Sequence, residues 1–276
     1  ANAGLWDSFV SALSVPDVGS KKIRTDLVVE VFKVLKPAAD EFLTTFVRAL
    51  CSLYELSPRY QTPSLRKWWK RLFLLAISSE REHVEIPDDF YFSAINSSAG
   101  RLATAVLQDI EKARAEGVAL VPGLVTALYD CANGLGIQGS FSRSVLIRDS
   151  QFVVSLNLPR VTKRLSLALS SESQEGRALR KILVCKTAAS ELVSNAFSKQ
   201  ILRGVIECEG TGSEAQNAAA KILAPALSIL REKSTAEAWG ISIADAALAL
   251  RNSKPEIHVA AAGVLVKWSS AFEGPP

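Results

Sequence analysis

The chain has 276 residues, of which 48% are hydrophobic and 22% are charged, and its formal net charge is +4. This length suits one large domain or two ordinary ones, and the apolar content excludes an intrinsically disordered chain. No apolar run reaches the roughly 18 residues that a membrane-spanning helix needs, so we expect no membrane span. Residues 1–10 lack the basic and then apolar pattern of a signal peptide, so we expect a cytoplasmic protein.

Apolar residues spaced three and four apart predict a series of helices in the first half of the chain. Thr62 and Pro63 suit the cap and the first position of one of them. The clearest helix places Leu102, Val106 and Ile110 on one face and ends at Gly117. The predicted segments are residues 5–13, 26–35, 37–56, 63–76, 99–116 and 121–131.

The middle of the chain is harder to assign. Residues 143–156 fit a helix, although Phe152, Val153 and Val154 are typical of strands, which leaves a β-strand as the alternative. We favour the helix because no hairpin signal flanks the segment. A further helix is expected over residues 158–169.

The last third contains three matches to the capping-box pattern, in which a Ser or Thr precedes an acidic residue by three positions. They begin at Thr211, Ser234 and Ser253, and they predict helices near 214–231, 235–251 and 254–271. Alanine is dense in all three segments, which favours helix.

These segments together predict an all-α fold of about 11 to 13 helices. We expect an irregular α-solenoid, a HEAT-like array of helical hairpins, with a compact helical domain as the alternative. The glycines at 134, 136 and 139 predict an interhelical loop. This glycine-rich connection, residues 133–140, is expected to join an N-terminal half (1–132) to a C-terminal half (141–276).

We expect no catalytic residue, cofactor site or metal site in this chain. The G-x-G-x-x-G pattern at 134–139 follows a predicted helix rather than the strand that a dinucleotide-binding loop requires. Four separated cysteines, none in a C-x-x-C pair, and two histidines argue against zinc and indicate buried free thiols. His83 is expected in a solvated loop, Asp88 and Asp89 in a turn and helix cap, and His258 in a structural role.

A run that alternates bases with aromatics, Arg66-Lys67-Trp68-Trp69-Lys70-Arg71, is the strongest candidate for a functional surface. On a helix the two tryptophans point toward the core, and the cations form a basic rim around them. The same composition also suits a partner surface, for an acidic protein or for nucleic acid, whose phosphates and bases would meet the cations and the rings.

The segment Asp88–Leu107 contains Asn-Ser-Ser-Ala-Gly-Arg-Leu-Ala after an acidic-aromatic stretch, and Trp68–Leu72 precedes it. This pattern, with its end near 254–268, resembles a helical region that follows sirtuin-like NAD-hydrolysing domains in bacterial antiphage defence proteins. The resemblance implies a non-catalytic sensing or scaffold module, with the chemistry in a sirtuin-like domain that is absent from these 276 residues. We therefore expect a piece of a longer chain, as the lack of an initial Met also suggests.

The resulting hypothesis is a helical module without its own catalytic site. It binds a protein, either a phage protein or a catalytic domain of the same parent chain. The expected partner-binding residues are Arg66, Lys67, Lys70, Arg71 and Arg101. The alternatives are a helical nucleic-acid-binding protein that uses residues 66–71 and a helical enzyme whose site the sequence does not reveal.

Overall fold

The computed structural model describes residues 25–56, 63–79, 86–87 and 89–270, together with the single residues 5, 8, 9 and 12. Within these residues every regular element is an α-helix and no strand occurs, so the all-α prediction is confirmed. Much of the first predicted helix lies outside the described residues, as do Thr62, His83 and Asp88.

Contacts divide the chain into two compact units, residues 1–145 and 146–276. The helices that lie wholly in the first unit are α1 (Thr25–Leu35), α2 (Asp40–Thr44), α3 (Val47–Leu56), α4 (Pro63–Arg66), α5 (Trp68–Ser78), α6 (Phe90–Asn96), α7 (Ser98–Ala115) and α8 (Pro122–Asn133). Helix α9 (Gly136–Arg148) contains the point of division.

The helices of the second unit are α10 (Ser150–Ser155), α11 (Pro159–Ser170), α12 (Gln174–Cys185), α13 (Glu191–Glu207), α14 (Gly212–Leu230), α15 (Ala236–Trp239), α16 (Ile243–Arg251) and α17 (Pro255–Ser270). Single-turn segments such as α4 and α15 make the described helices more numerous than the sequence predicted.

Helix α7 lies at the centre of the first unit, where α3, α5, α6 and α8 pack against it. Its predicted apolar face is buried, with Leu102 and Ile110 fully inaccessible to solvent. The helix begins where the hydroxyl of Ser97 accepts a hydrogen bond from the backbone N–H of Gly100. A Cβ at Gly100 would lie 1.8 Å from the carbonyl oxygen of Ala94, so only glycine allows α6 to turn this tightly into α7.

The predicted glycine loop is largely helical. Helix α8 ends at Asn133 and α9 begins at Gly136, so the connection is much shorter than residues 133–140. Gly139 lies in the first turn of α9, where a Cβ would come within 2.2 Å of the Gly134 carbonyl. Helices flank the G-x-G-x-x-G pattern on both sides, as expected for an interhelical connection, and the division between the compact units falls after it, at 145/146.

Helix α14 is the central element of the second unit, and α12, α13, α16 and α17 pack against it. The segment with Phe152, Val153 and Val154 forms helix α10, which confirms the preference for helix over strand. None of the described helices is both long and apolar enough to span a bilayer.

All three predicted helix starts differ from the observed ones. The Ser253 hydroxyl donates a hydrogen bond to the Leu250 carbonyl, and α17 begins two residues later, at Pro255. Thr211 caps α14 without a side-chain hydrogen bond, and Thr235 rather than Ser234 caps α15. The helix predicted over 235–251 is split in two by Gly240, which adopts a left-handed conformation (φ +64°). A reciprocal capping box is formed instead by Ser242 and Asp245 at the start of α16.

Candidate functional site

A cavity of about 470 Å³ opens in the first unit between α5, α7 and α8. The buried side chains of Trp69, Val106 and Leu124 form its floor. It is lined by Tyr54, Arg66, Lys67, Trp69, Lys70, Val106, Asp109, Val121, Gly123, Leu124, Thr126, Ala127 and Asp130. We call this cavity the basic groove, because three of the five predicted partner-binding cations lie along it.

The three cations of the basic groove are Arg66, Lys67 and Lys70. Lys67 and Lys70 are exposed and Arg66 is half-buried. Within the described part of the chain, no ion pair or hydrogen bond is formed by these side chains. Their charges are therefore directed at solvent beside an apolar floor.

Carboxylates line the same cavity, and sequence reasoning missed them. Asp109 belongs to α7 and Asp130 to α8, and both contribute to the lining. Asp109 is only 2% exposed, so it is a buried acid on a helix that is otherwise apolar on that side. The sequence signal was an acidic residue between Leu107 and Ile110, on the apolar face that the pattern defines. The groove is basic along α4 and α5 and contains acidic groups along α7 and α8.

The aromatic residues of the run pack in the core, as the rim interpretation predicted. The indole Nε1 of Trp69 donates a hydrogen bond to the carbonyl of Leu102 at 3.1 Å, and its ring stacks on Phe73 with a centroid distance of 4.7 Å. Trp68 contacts the Phe32 ring at 5.0 Å. Both indoles are less than 9% exposed, and Trp69 contributes to the lining of the basic groove.

Arg71 has an internal role, in contrast to the prediction that it binds a partner. Its guanidinium donates hydrogen bonds to the carbonyls of Lys36 and Ala38 and forms an ion pair with Asp40 at 2.7 Å. The same group lies over the ring of Trp68, 5.1 Å from the ring centroid. Arg71 therefore joins α5 to the chain between α1 and α2.

Arg101 is also committed internally. Its Nη1 lies 2.8 Å from the Glu55 carboxylate, and both side chains are mostly buried, with exposures of 23% and 17%. The pair joins α7 to α3 in the middle of the first unit. The sequence singled out Arg101 as a functional cation. It could not show that the acidic partner of Arg101 lies 46 positions earlier in the same chain.

Buried charges in the second unit form a separate network. Arg180 is fully buried, and its guanidinium binds the carbonyls of Leu169 and Ser171 and the carboxylate of Glu207. Burial alone would raise the pKa of Glu207, but hydrogen bonds from Arg180 and Arg203 lower it below its ordinary value. This network connects α12 and α13 and is structural.

Lys221 of α14 is fully buried, and its ammonium donates hydrogen bonds to the Thr187 hydroxyl at 2.6 Å and to the Ala188 carbonyl at 2.5 Å. Among the described residues no ion pair involves it, and burial lowers its pKa from 10.5 to about 8. Lys221 therefore fixes the segment that follows α12 and does so at an electrostatic cost.

Other candidate sites are weaker. The imidazole Nε2 of His258 lies 2.6 Å from the Leu250 carbonyl, in keeping with its structural interpretation. The Asp89 carboxylate accepts the N–H of Phe92 and caps α6, as predicted. Among the described residues, no three His, Cys, Asp or Glu side chains are grouped closely enough to hold a metal ion. A smaller cavity of about 240 Å³ lies beside Trp268 in the second unit.

Comparison with known proteins identifies a distant relative of this chain. The chain is similar to the uncharacterized protein y4cA of Sinorhizobium fredii (strain NBRC 101917 / NGR234), with 28% identity over 244 residues. The match covers 88% of this chain and 20% of the relative, so the chain spans about a fifth of that protein's length. No family model and no solved structure matches the chain.

Proposed function

We propose that this chain is a non-catalytic protein-interaction module, a sensor or scaffold, whose basic groove binds an acidic segment of a protein partner. The observation that supports this most directly is the position of Arg66, Lys67 and Lys70 beside an apolar floor, without a described internal ion pair. Arg71 and Arg101 are excluded from the binding set because internal carboxylates and carbonyls already occupy them.

The chemistry of the groove defines the occupant. A cavity of about 470 Å³ is within the usual size range of ligand pockets and accommodates one or two apolar side chains. Carboxylates that flank such a side chain would meet the cations of α4 and α5. The expected ligand is therefore a short peptide segment with an apolar residue between acidic ones.

One feature favours a protein partner over nucleic acid. Single-stranded nucleic acids bind by stacking bases on exposed aromatic rings, but Trp68 and Trp69 are packed in the core. Binding of nucleic acid is one of the outcomes that the test below distinguishes.

The context of the module is also a proposal. We infer that it belongs to a longer cytoplasmic protein of bacterial antiphage defence, in which a sirtuin-like domain hydrolyses NAD. The resemblance of residues 88–107 to the helical regions of such proteins supports this context. The much greater length of the relative supports only a longer parent chain. Successive packing of α12 on α13 and of α13 on α14 supports a HEAT-like array within the second unit.

The proposal is tested with an array of short peptides, each with one apolar residue flanked either by acidic or by lysine residues. The wild-type chain is expected to select the acidic set. The variant Lys67→Glu/Lys70→Glu should weaken binding to the best acidic peptide at least tenfold, equivalent to ~1.4 kcal/mol. The matched control Lys163→Glu/Lys199→Glu changes two exposed lysines of the second unit and should retain the affinity.

Equal binding by the groove variant and the control would refute the proposal, provided that circular dichroism shows both are folded. Preference for a single-stranded oligonucleotide, with an affinity that falls steeply as salt increases, would replace it with the nucleic-acid alternative. Release of nicotinamide from NAD by the isolated chain would contradict the assignment as a non-enzyme.

A further inference from the structure

Two cysteines that are far apart in sequence lie together in the second unit. Cys185 is the last residue of α12, and Cys208 directly follows α13. Their sulfur atoms are 3.4 Å apart, within hydrogen-bonding distance, and both thiols are free and buried. The sequence pattern did not reveal this pair because 23 positions separate the two residues.

The surroundings hold both cysteines in place. The side-chain amide of Asn217 donates a hydrogen bond to the carbonyl of Cys185 at 2.7 Å, and Lys221 fixes the two residues Thr187 and Ala188 that follow. On the other side, Gly210 lies close to the Glu214 side chain, since a Cβ there would come within 2.6 Å of the Glu214 Cβ, and the same Cβ would be in ordinary contact with the Cys208 sulfur at 3.5 Å. A disulfide requires the sulfurs to approach to about 2.05 Å, which is ~1.4 Å closer than their present separation of 3.4 Å.

The two thiols differ in acidity. The hydrogen bond from Cys185 lowers the pKa of Cys208, and the backbone N–H of Gly210 contributes in the same direction. The pKa of Cys185 is raised for the complementary reason, because it donates to that thiolate. Cys208 is therefore the better nucleophile and Cys185 the resolving thiol.

We propose that Cys185 and Cys208 form a reversible redox site, which a peroxide converts to an intramolecular disulfide. The Cys208 thiolate attacks one peroxide oxygen, the O–O bond breaks, and the departing hydroxide takes up a proton to give water and a Cys208 sulfenic acid. The sulfur of Cys185 then attacks that of Cys208, the S–O bond breaks, and the second water leaves with the Cys185 proton. Both sulfurs are oxidised and one peroxide is reduced to two waters.

The product would connect the end of α12 directly to the residue after α13. Cys51 and Cys131 provide an internal comparison, because they are fully buried in the first unit and burial raises the pKa of both thiols. Among the described residues, neither lies within hydrogen-bonding distance of a second cysteine. They should remain thiols under conditions that link Cys185 to Cys208.

The experiment uses the full chain, reduced and then treated with a small excess of hydrogen peroxide. Remaining thiols are alkylated under denaturing conditions, and the products are digested with trypsin and analysed by mass spectrometry without reduction. Cleavage at lysine and arginine places Cys185 in residues 182–186 and Cys208 in residues 204–221. We expect these two peptides to be linked, two of the four thiols to be lost, and dithiothreitol to restore them.

Two variants complete the test. Cys208→Ser should leave Cys185 alkylated and abolish the linked peptide, whereas Cys131→Ser should form the link as the wild-type chain does. A wild-type chain that retains all four thiols, or that accumulates sulfinic acid at Cys208 without the link, would overturn the proposal. The wild-type result alone decides the matter if a variant does not fold.

Discussion

The five cations that the sequence singled out differ in what their nitrogen atoms contact. Arg71 and Arg101 each bind an acidic side chain of another helix or turn. Lys67 and Lys70 extend into solvent beside the basic groove. Composition and spacing predict that such cations flank the buried face of a helix. They do not distinguish a cation in an internal ion pair from one that extends into solvent.

This difference leads to a stability prediction for α5. Arg71→Ala removes the charged donor from the carbonyls of Lys36 and Ala38, and it should lower the free energy of unfolding by about 2 kcal/mol. Arg71→Lys should recover only part of this loss, because an ammonium cannot form the same fork of hydrogen bonds. Lys67→Ala is the matched control and should change stability by less than about 0.5 kcal/mol. Urea titration measures all three, and similar losses for Arg71→Ala and Lys67→Ala would contradict the internal role.

Lys221 predicts a dependence of stability on pH. Burial lowers its pKa from 10.5 to about 8, so below pH 8 both the folded and the unfolded chain hold the proton. Between about pH 8 and 10.5 the unfolded chain keeps a proton that the folded chain has released, and the free energy of unfolding rises with pH. The contribution is about 3 kcal/mol at most.

The comparison of wild type with Lys221→Met isolates this contribution. Cys51 and Cys131 act in the opposite direction, because in this pH range their thiols lose protons in the unfolded chain while burial raises their pKa in the folded chain. These thiols are common to both proteins. Urea titrations between pH 7 and about 10 should show a wild-type stability that increases relative to the variant. Exposed Lys199, changed to Met as a control, should leave the pH dependence as in wild type. Parallel pH profiles for wild type and Lys221→Met would show that burial does not lower the pKa of Lys221.

Helices with a clear apolar face were the elements that the sequence predicted best. The face of α7 is buried as the spacing of Leu102, Val106 and Ile110 requires. Helix starts were less predictable, because a Ser or Thr three positions before an acid is compatible with several starts. The true capping box at Ser242 and Asp245 forms because Gly240, with its left-handed backbone, ends α15 just before it.

The junction of α6 and α7 gives a test of this account at the level of elements. Gly100→Ala places a methyl group on the Ala94 carbonyl oxygen, and it should destabilise the chain by about 2–3 kcal/mol through overpacking and backbone shift. Gly263→Ala in α17 is the control, since a Cβ there meets nothing within 4 Å and should stabilise by about 0.5–1 kcal/mol. Thermal unfolding of both variants provides the measurement. A neutral Gly100→Ala would mean that α6 and α7 do not meet as closely as described.

At the scale of the whole molecule, the sequence predicted the all-α fold class. The division between the compact units falls at 145/146, after the glycine-rich segment. The glycines at 134 and 139 have the composition of a linker, yet they allow a close turn within the first unit. The sequence predicted only part of the candidate site, because only some of its residues are close together in the chain. The cations of α4 and α5 are adjacent in sequence, whereas the acidic residues Asp109 and Asp130 reach the groove only through the packing of α7 and α8.

The central claim is that the basic groove binds an acidic protein segment, and hydrogen–deuterium exchange tests it most directly. The full chain is compared alone and with the best acidic peptide from the array, at a concentration that saturates binding. The account predicts slower exchange in the peptides that cover α5 and α8, residues 68–78 and 122–133, and no such change for Lys67→Glu/Lys70→Glu. Protection confined to the second unit, or equal protection by the lysine-flanked peptide, would contradict it.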